Sequence, residues 1–276
     1  MKKKLVIFRK KNIFNKNIFF ICSLIIIFSF SCFFYITKAN QQIKVPIILY
    51  HNITTDSNLQ GNPLLNITPE NFQIHMQTLK DNGWNTISFE DYYNYVENNI
   101  PLPTNPIIIT FDDGYSSVYT YAFPILKNLQ MQATSFVITS RMGFPAGDGV
   151  TYPHFSWVQA KEMDQSKVID IESHSDTHVN MSNTQDTDKI QVELRRSKYL
   201  IEQNLNKDCT VFAFPYGGKT DYAQKLGLSA GYKMLCKVGD EGANAAGDDL
   251  TQLKRITIHG DETPDQLLKT ITKNLM

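Results

Sequence analysis

Apolar residues in this chain fall into short β-branched or aromatic runs, separated by longer stretches in which they recur at helical spacing. The runs predict strands at Val45–Tyr50, Thr86–Ser88, Pro106–Phe111, Ala133–Ile138, Val168–Glu172, Thr210–Phe214, Gly231–Cys236 and Arg255–Ile258. Helices are announced between them by their caps. Thr68-Pro69-Glu70 sets an N-cap with proline in the first turn, Phe72, Met76 and Leu79 form an apolar stripe, and Asn82-Gly83 ends the helix. Thr263-Pro264-Asp265 repeats that start signal near the C-terminus, Ser156 caps a helix through Met163, and a long polar helix covers roughly Asp186 to Leu205. Strands alternating with helices, without repeats or low-complexity linkers, predict one α/β domain over residues 41–276.

The run Ile107-Ile108-Ile109-Thr110-Phe111 lacks the polar alternation of a half-solvated strand, so it is expected to be covered on both faces. It ends in Asp112-Asp113-Gly114. Adjacent carboxylates repel and lose hydration when buried, so a fold keeps them at a strand end where a metal or a proton-transfer task stabilises them. Alone, Asp-Asp-Gly also fits a solvated turn. Other polar residues recur in the same place: Tyr50 leads to His51, Glu172 to His174, and Phe214 to Pro215-Tyr216-Gly217. In parallel α/β barrels those strand ends open on one face, where active sites are built. His174 and His178 are four apart, a metal-ligand spacing that one helical turn would bring to the same side. Two imidazoles and one carboxylate leave a coordination position open, the pattern of a catalytic ion such as Zn2+, with Co2+ and Ni2+ also suited to the donors.

The first 40 residues change the picture of the whole. Lys2, Lys3, Lys4, Arg9, Lys10, Lys11 and Lys16 precede an apolar stretch from Ile18 to Ile36. That length is close to the roughly 20 residues needed to span a bilayer, and the flanking cations hold its N-terminal end in the cytoplasm. Residues 1–40 are therefore expected to be a basic tail and single-pass transmembrane anchor that leaves the domain outside; cleavage after Ala39 would secrete it instead. Without this segment the chain holds 19 basic against 27 acidic residues, a net charge of −8, which excludes nucleic acid as a natural partner and suits a neutral or cationic polymer. Of the four cysteines only Cys209 and Cys236 fall in the exported part.

Taken in order, Thr110-Phe111-Asp112-Asp113-Gly114, His174-x-x-x-His178 and Phe212-Ala213-Phe214-Pro215-Tyr216-Gly217 resemble the successive motifs of the polysaccharide deacetylases, carbohydrate esterase family four, over roughly residues 45–275. The resemblance implies an incomplete (β/α) barrel of about seven strands. It implies Asp112 as general base, Asp113, His174 and His178 as metal ligands, and the backbone N–H of Tyr216 as an oxyanion donor, with Pro215 and Tyr216 against the substrate. The family's general acid is a histidine in an aliphatic-x-His motif near the C-terminus. Here Leu49-Tyr50-His51 carries that pattern at the N-terminal end, as in the circularly permuted branch that includes deacetylases of biofilm poly-N-acetylglucosamine; His259 is the rival acid.

One departure stands out. Many members place an arginine just before the Pro-Tyr motif to tether the catalytic aspartate, where this chain has Phe212 and Ala213. Arg255 is the candidate replacement and is otherwise an ordinary strand-flanking cation. Tyr50, Tyr115, Trp157 and Tyr216 are candidate platforms for sugar rings. The activity expected is metal-dependent removal of N-acetyl groups from N-acetylglucosamine units of an extracellular or cell-wall polysaccharide. An O-acetyl esterase and an inactive carbohydrate-binding homologue are the alternatives.

Overall fold

Four helix starts in the structure fall on Thr68, Ser156, Asp186 and Thr263, the capping residues read from the sequence. In the computed structural model, which describes residues 43–55, 64–145, 152–239 and 242–275, helix α1 spans Pro69–Asp81, and the Thr68 side chain accepts from the Asn71 amide. Helix α2 spans Phe89–Asn98 behind a reciprocal Ser88–Asp91 capping box, and α3 spans Phe123–Leu129. Helix α4 spans Trp157–Gln165 behind Ser156 and Gln159, and α5 spans Thr187–Leu205 behind Asp186. Helices α6, Asp221–Ser229, and α7, Pro264–Lys273, start at Thr220 and Thr263. Each cap satisfies an amide that the first helical turn leaves unpaired.

The main sheet contains β1 (Ile47–Tyr50), β2 (Asn85–Thr86), β3 (Pro106–Phe111), β4 (Ala133–Val137), β5 (Ile169–Ser173), β6 (Val211–Ala213), β7 (Met234–Cys236) and β8 (Ile256–Thr257). Seven of these run in the spatial order β7-β6-β5-β4-β3-β1-β8, and β2 pairs with the beginning of β3. Every pairing is parallel. All six residues of β3 are buried, as the unbroken apolar run demands of a strand with covered faces. Phe72, Met76 and Leu79 of α1, Ile190, Leu194 and Ile201 of α5, and Leu267 and Ile271 of α7 pack on the strands and close the core. This is the parallel, incomplete barrel expected from the motifs.

The anchor expected over residues 18–36 lies outside the described residues. Among the described residues no helix is long and apolar enough to cross a membrane. Cys209 and Cys236 are both buried free thiols. One expected sugar platform is corrected by the packing. The Tyr50 ring is buried edge-on against Phe72, with its hydroxyl 3.0 Å from His75 Nδ1, and Trp157 is partly buried against the core.

Candidate active site

The C-terminal ends of the parallel strands gather the polar residues singled out above into a cleft of about 410 Å3, lined by His51, Asp112, Asp113, His174, His178 and Tyr216 among others. His51 follows β1, the two aspartates follow β3, His174 follows β5, and Tyr216 lies just beyond β6. His259 is exposed and is not part of the cleft lining.

Asp113 Oδ1 lies 3.5 Å from His174 Nε2 and 3.2 Å from His178 Nε2. One donor atom from each of these three side chains falls within 4.8 Å of the others. His174 Nδ1 donates to the Ala213 carbonyl at 2.9 Å, which leaves Nε2 as the lone-pair nitrogen facing Asp113. Burial pushes His174 down to about 4, even against the pull of both aspartates, so the ring is neutral at neutral pH, the state a metal ligand requires. Burial also pushes Asp113 up, but the hydrogen bond from His178 and the neighbouring imidazoles outweigh it and hold the carboxyl well below the usual carboxylate range.

The two histidines do not meet through a helical turn, contrary to the i, i+4 reading. Residues 174–178 are irregular, with Ser175 at φ 69° and His178 at φ 64°, and the His178 amide donates to Ser175 Oγ at 2.9 Å. Asp113 at φ 73° and Tyr216 at φ 57° are left-handed as well. Left-handed backbone is costly for such residues, and its concentration around one cleft marks a site whose geometry overrides local preference.

Asp112 is committed differently from its neighbour. Arg255 Nη1 and Nη2 bond its two carboxylate oxygens at 2.6 and 2.8 Å. Arg255 immediately precedes β8, so the pair ties the start of that strand to the end of β3. The arginine is fully buried and crosses the Phe136 ring at 5.4 Å. Burial pushes the Asp112 carboxyl up, but Arg255 and His174 outweigh it and keep the group below its ordinary range. The guanidinium thus gives Asp112 a two-oxygen tether that Phe212 and Ala213 cannot supply.

Tyr216 is 67 % exposed, and its ring lies 4.5 Å from that of His178 between centroids. His51 is near enough to lower both aspartates, and its Nδ1 is buried without a hydrogen-bond partner among the described residues. Tyr115, Arg141 and His154 also line the cleft. Sequence reading missed Arg141, at the end of a short 3-10 turn over Thr139–Arg141, and His154, which forms a β-bridge with Tyr115; neither has a spacing to betray it. A larger cavity of about 660 Å3 opens at the other end of the strands, where Asp164, Asp170 and Glu172 are engaged by Lys207. Those three carboxylates are engaged by one lysine, whereas Asp113 of the strand-end cleft meets two imidazoles.

Residues 99–235 match the family model for polysaccharide deacetylase. The chain belongs to the polysaccharide deacetylase family. It is 29 % identical over 197 residues to the putative polysaccharide deacetylase YxkH of Bacillus subtilis, covering 71 % of this chain and 65 % of that protein. It is 26 % identical over 206 residues to the poly-β-1,6-N-acetyl-D-glucosamine N-deacetylase of Staphylococcus epidermidis, covering 71 % and 68 % respectively. Among solved structures, the Streptococcus pyogenes deacetylase PplD in complex with acetate superimposes with a TM-score of 0.75 at 28 % identity, over 84 % of this chain and 99 % of that one. Deacetylases of this family are metal-dependent. Asp113, His174 and His178 fit such an ion: two neutral-capable imidazole nitrogens converge on one ionised carboxylate oxygen, and Ala213 fixes the His174 tautomer.

Proposed function

We propose that this protein is a metal-dependent hydrolase that removes N-acetyl groups from N-acetylglucosamine units of an extracellular or cell-wall polysaccharide, releasing acetate and leaving a free amine. The observation that carries the reading is the split commitment of two adjacent carboxylates, Asp112 to Arg255 and Asp113 to two imidazoles. A divalent ion held by Asp113, His174 and His178 supplies Lewis acidity towards the acyl oxygen and lowers the pKa of water towards about 7.

The chain's own groups handle the protons. Asp112, kept ionised by Arg255, accepts a proton from the attacking water; its Oδ2 lies 3.8 Å from His174 Nε2 and so faces the ligand side of the cleft. The Tyr216 amide, in its left-handed turn, donates to the oxygen that gains charge as the acyl carbon becomes tetrahedral. His51 gives its proton to the departing nitrogen as the C–N bond breaks; it lines the cleft and His259 does not. Water's hydroxyl ends on the acetate and its proton is exchanged through Asp112, so the reaction balances as amide plus water to acid plus amine.

Poly-β-1,6-N-acetylglucosamine, peptidoglycan glycan strands and chitin-like oligomers all carry the required unit. The staphylococcal relative's named substrate favours the first. We infer that the basic and apolar segment 1–40 anchors the domain on the outer side of the membrane. The test is acetate release by the zinc-loaded protein from those three polymers and from acetylated xylan, with Asp112→Asn as control. Release from an N-acetylated polymer that the control abolishes supports the proposal; release from xylan alone makes the protein an esterase.

A further inference from the structure

The loop carrying both proposed histidine ligands is held from behind by a carboxylate that has no part in the cleft. Glu193, on α5, is 4 % exposed. Its Oε2 accepts from the Asp176 amide at 3.0 Å and from the Thr177 amide at 2.7 Å, while the Thr177 hydroxyl donates to Oε1. Among the described residues no cation pairs with it, so its charge is met by these loop donors alone. A buried charge of this kind is costly unless its acceptors are filled, and two amides aimed at one oxygen of an anion make a strong, geometrically narrow clasp.

The same helix reads the loop at neighbouring positions. Arg196 Nε lies 3.1 Å from Asp176 Oδ2, and Thr139 Oγ1 donates to Asp176 Oδ1 at 2.6 Å. Ser197 Oγ lies 2.8 Å from Ser173 Oγ at the end of β5. Residues 193, 196 and 197 share one helix face by the 3.6-residue period, so α5 acts as a gauge laid against residues 173–177. The loop needs one, because Ser175 and His178 both hold left-handed backbone that no local preference supports.

We propose that Glu193 is a positioning residue that sets His174 and His178 Nε2 on the same side of Asp113, so that metal affinity depends on a side chain that touches neither metal nor substrate. This rests on the metal reading above. Outer partners of metal ligands are typically worth about 10–100-fold in affinity when removed. Glu193→Ala is expected to lower Co2+ affinity at least about tenfold, measured by chelator competition well below the melting temperature, and to alter the visible absorption of bound Co2+. Glu193→Gln is expected to rescue most of the loss, because its amide oxygen can still take both loop amides while its NH2 faces the Thr177 hydroxyl. Glu193→Asp, which keeps the charge but pulls it back by one methylene, is expected to lie near Ala and serves if the alanine variant does not fold. Folded Ala or Asp variants with wild-type Co2+ affinity and spectrum would overturn the role. If the wild-type protein itself takes up no Co2+, the metal reading falls first, and Asp113→Ala is the control that tells site binding from stray uptake.

Discussion

Arg255 grips Asp112 through two nearly parallel hydrogen bonds, 2.6 and 2.8 Å long, although the residues are 143 positions apart in sequence. Both groups are buried, so neither charge can be left alone. Arg255→Met is expected to cost about 3–5 kcal/mol in denaturant unfolding, the usual penalty for stranding one partner of a buried pair. Arg255→Met combined with Asp112→Asn should recover part of it. Arg255→Lys should recover little, since an ammonium cannot span both oxygens.

The same pair sets a pH dependence. Arg255 holds Asp112 below its ordinary range, which keeps the proposed base ionised into mildly acidic solution. In Arg255→Lys, which keeps the charge but loses the two-oxygen grip, the acid limb of the kcat/KM profile is expected to move to higher pH. An unmoved limb would show that Asp112 is not the group titrating there. Asp112→Asn should retain the metal and lose nearly all rate.

Metal should bind the folded state alone and stabilise it by mass action. At a free concentration of about 100 times Kd the gain is about 2.7 kcal/mol, visible as a rise in Tm. Asp113→Asn and His178→Ala should show no such rise, while Asp112→Asn should keep it. A chelator should return the wild-type protein to the Tm of the ligand variants.

Much of this was legible in the sequence, and the exceptions share a cause. Strand β3 spans Pro106–Phe111, the bounds its apolar run predicted, and Thr68, Ser156 and Thr263 cap the helices they announced, because periodicity and capping are local. Strand ends were readable for the same reason, which put His51, Asp112, His174 and Tyr216 on one face. What failed or was missing is non-local. The spacing of His174 and His178 suggested a helical turn, but a carboxylate on a distant helix shapes that loop instead. Tyr50 looked like a platform beside a functional histidine, yet side chains alternate along a strand and its ring went to the core. Arg255 could be named only as a candidate, since nothing local tells a flanking cation from one that threads the barrel.

His154 gives the acid side of the stability profile. Burial and the nearby Arg141 push it down to about 4, and among the described residues both buried ring nitrogens have no hydrogen-bond partner. The unfolded chain takes up the proton at about 6.5 while the folded one resists it to about 4, so its contribution is fully present above about 6.5 and is lost as pH falls through that window. His154→Phe should therefore be less sensitive to acid than wild type between those values, by on the order of 1–2 kcal/mol in urea unfolding. An identical pH slope in both proteins would remove His154 from the account.

Gly217 follows the proposed oxyanion donor and separates strain from collision. Its φ is +66°, and a Cβ there would sit 2.7 Å from both the carbonyl oxygen and Cγ2 of Val238. Gly239 has a comparable φ of +88°, but nothing lies within 4 Å of its Cβ position. Gly239→Ala should therefore cost about 1 kcal/mol from backbone strain alone and leave kcat intact. Gly217→Ala adds a backbone collision that can be relieved only by shifting the turn that aims the Tyr216 amide. Displacement of that donor by a fraction of an ångström to an ångström is expected to lower kcat by about 10- to 100-fold. KM should change much less, because the amide meets the substrate oxygen fully only as charge develops on it. Parallel losses of stability in the two variants, with kcat unchanged in both, would mean that the turn tolerates the shift and that the amide of Tyr216 is not the donor.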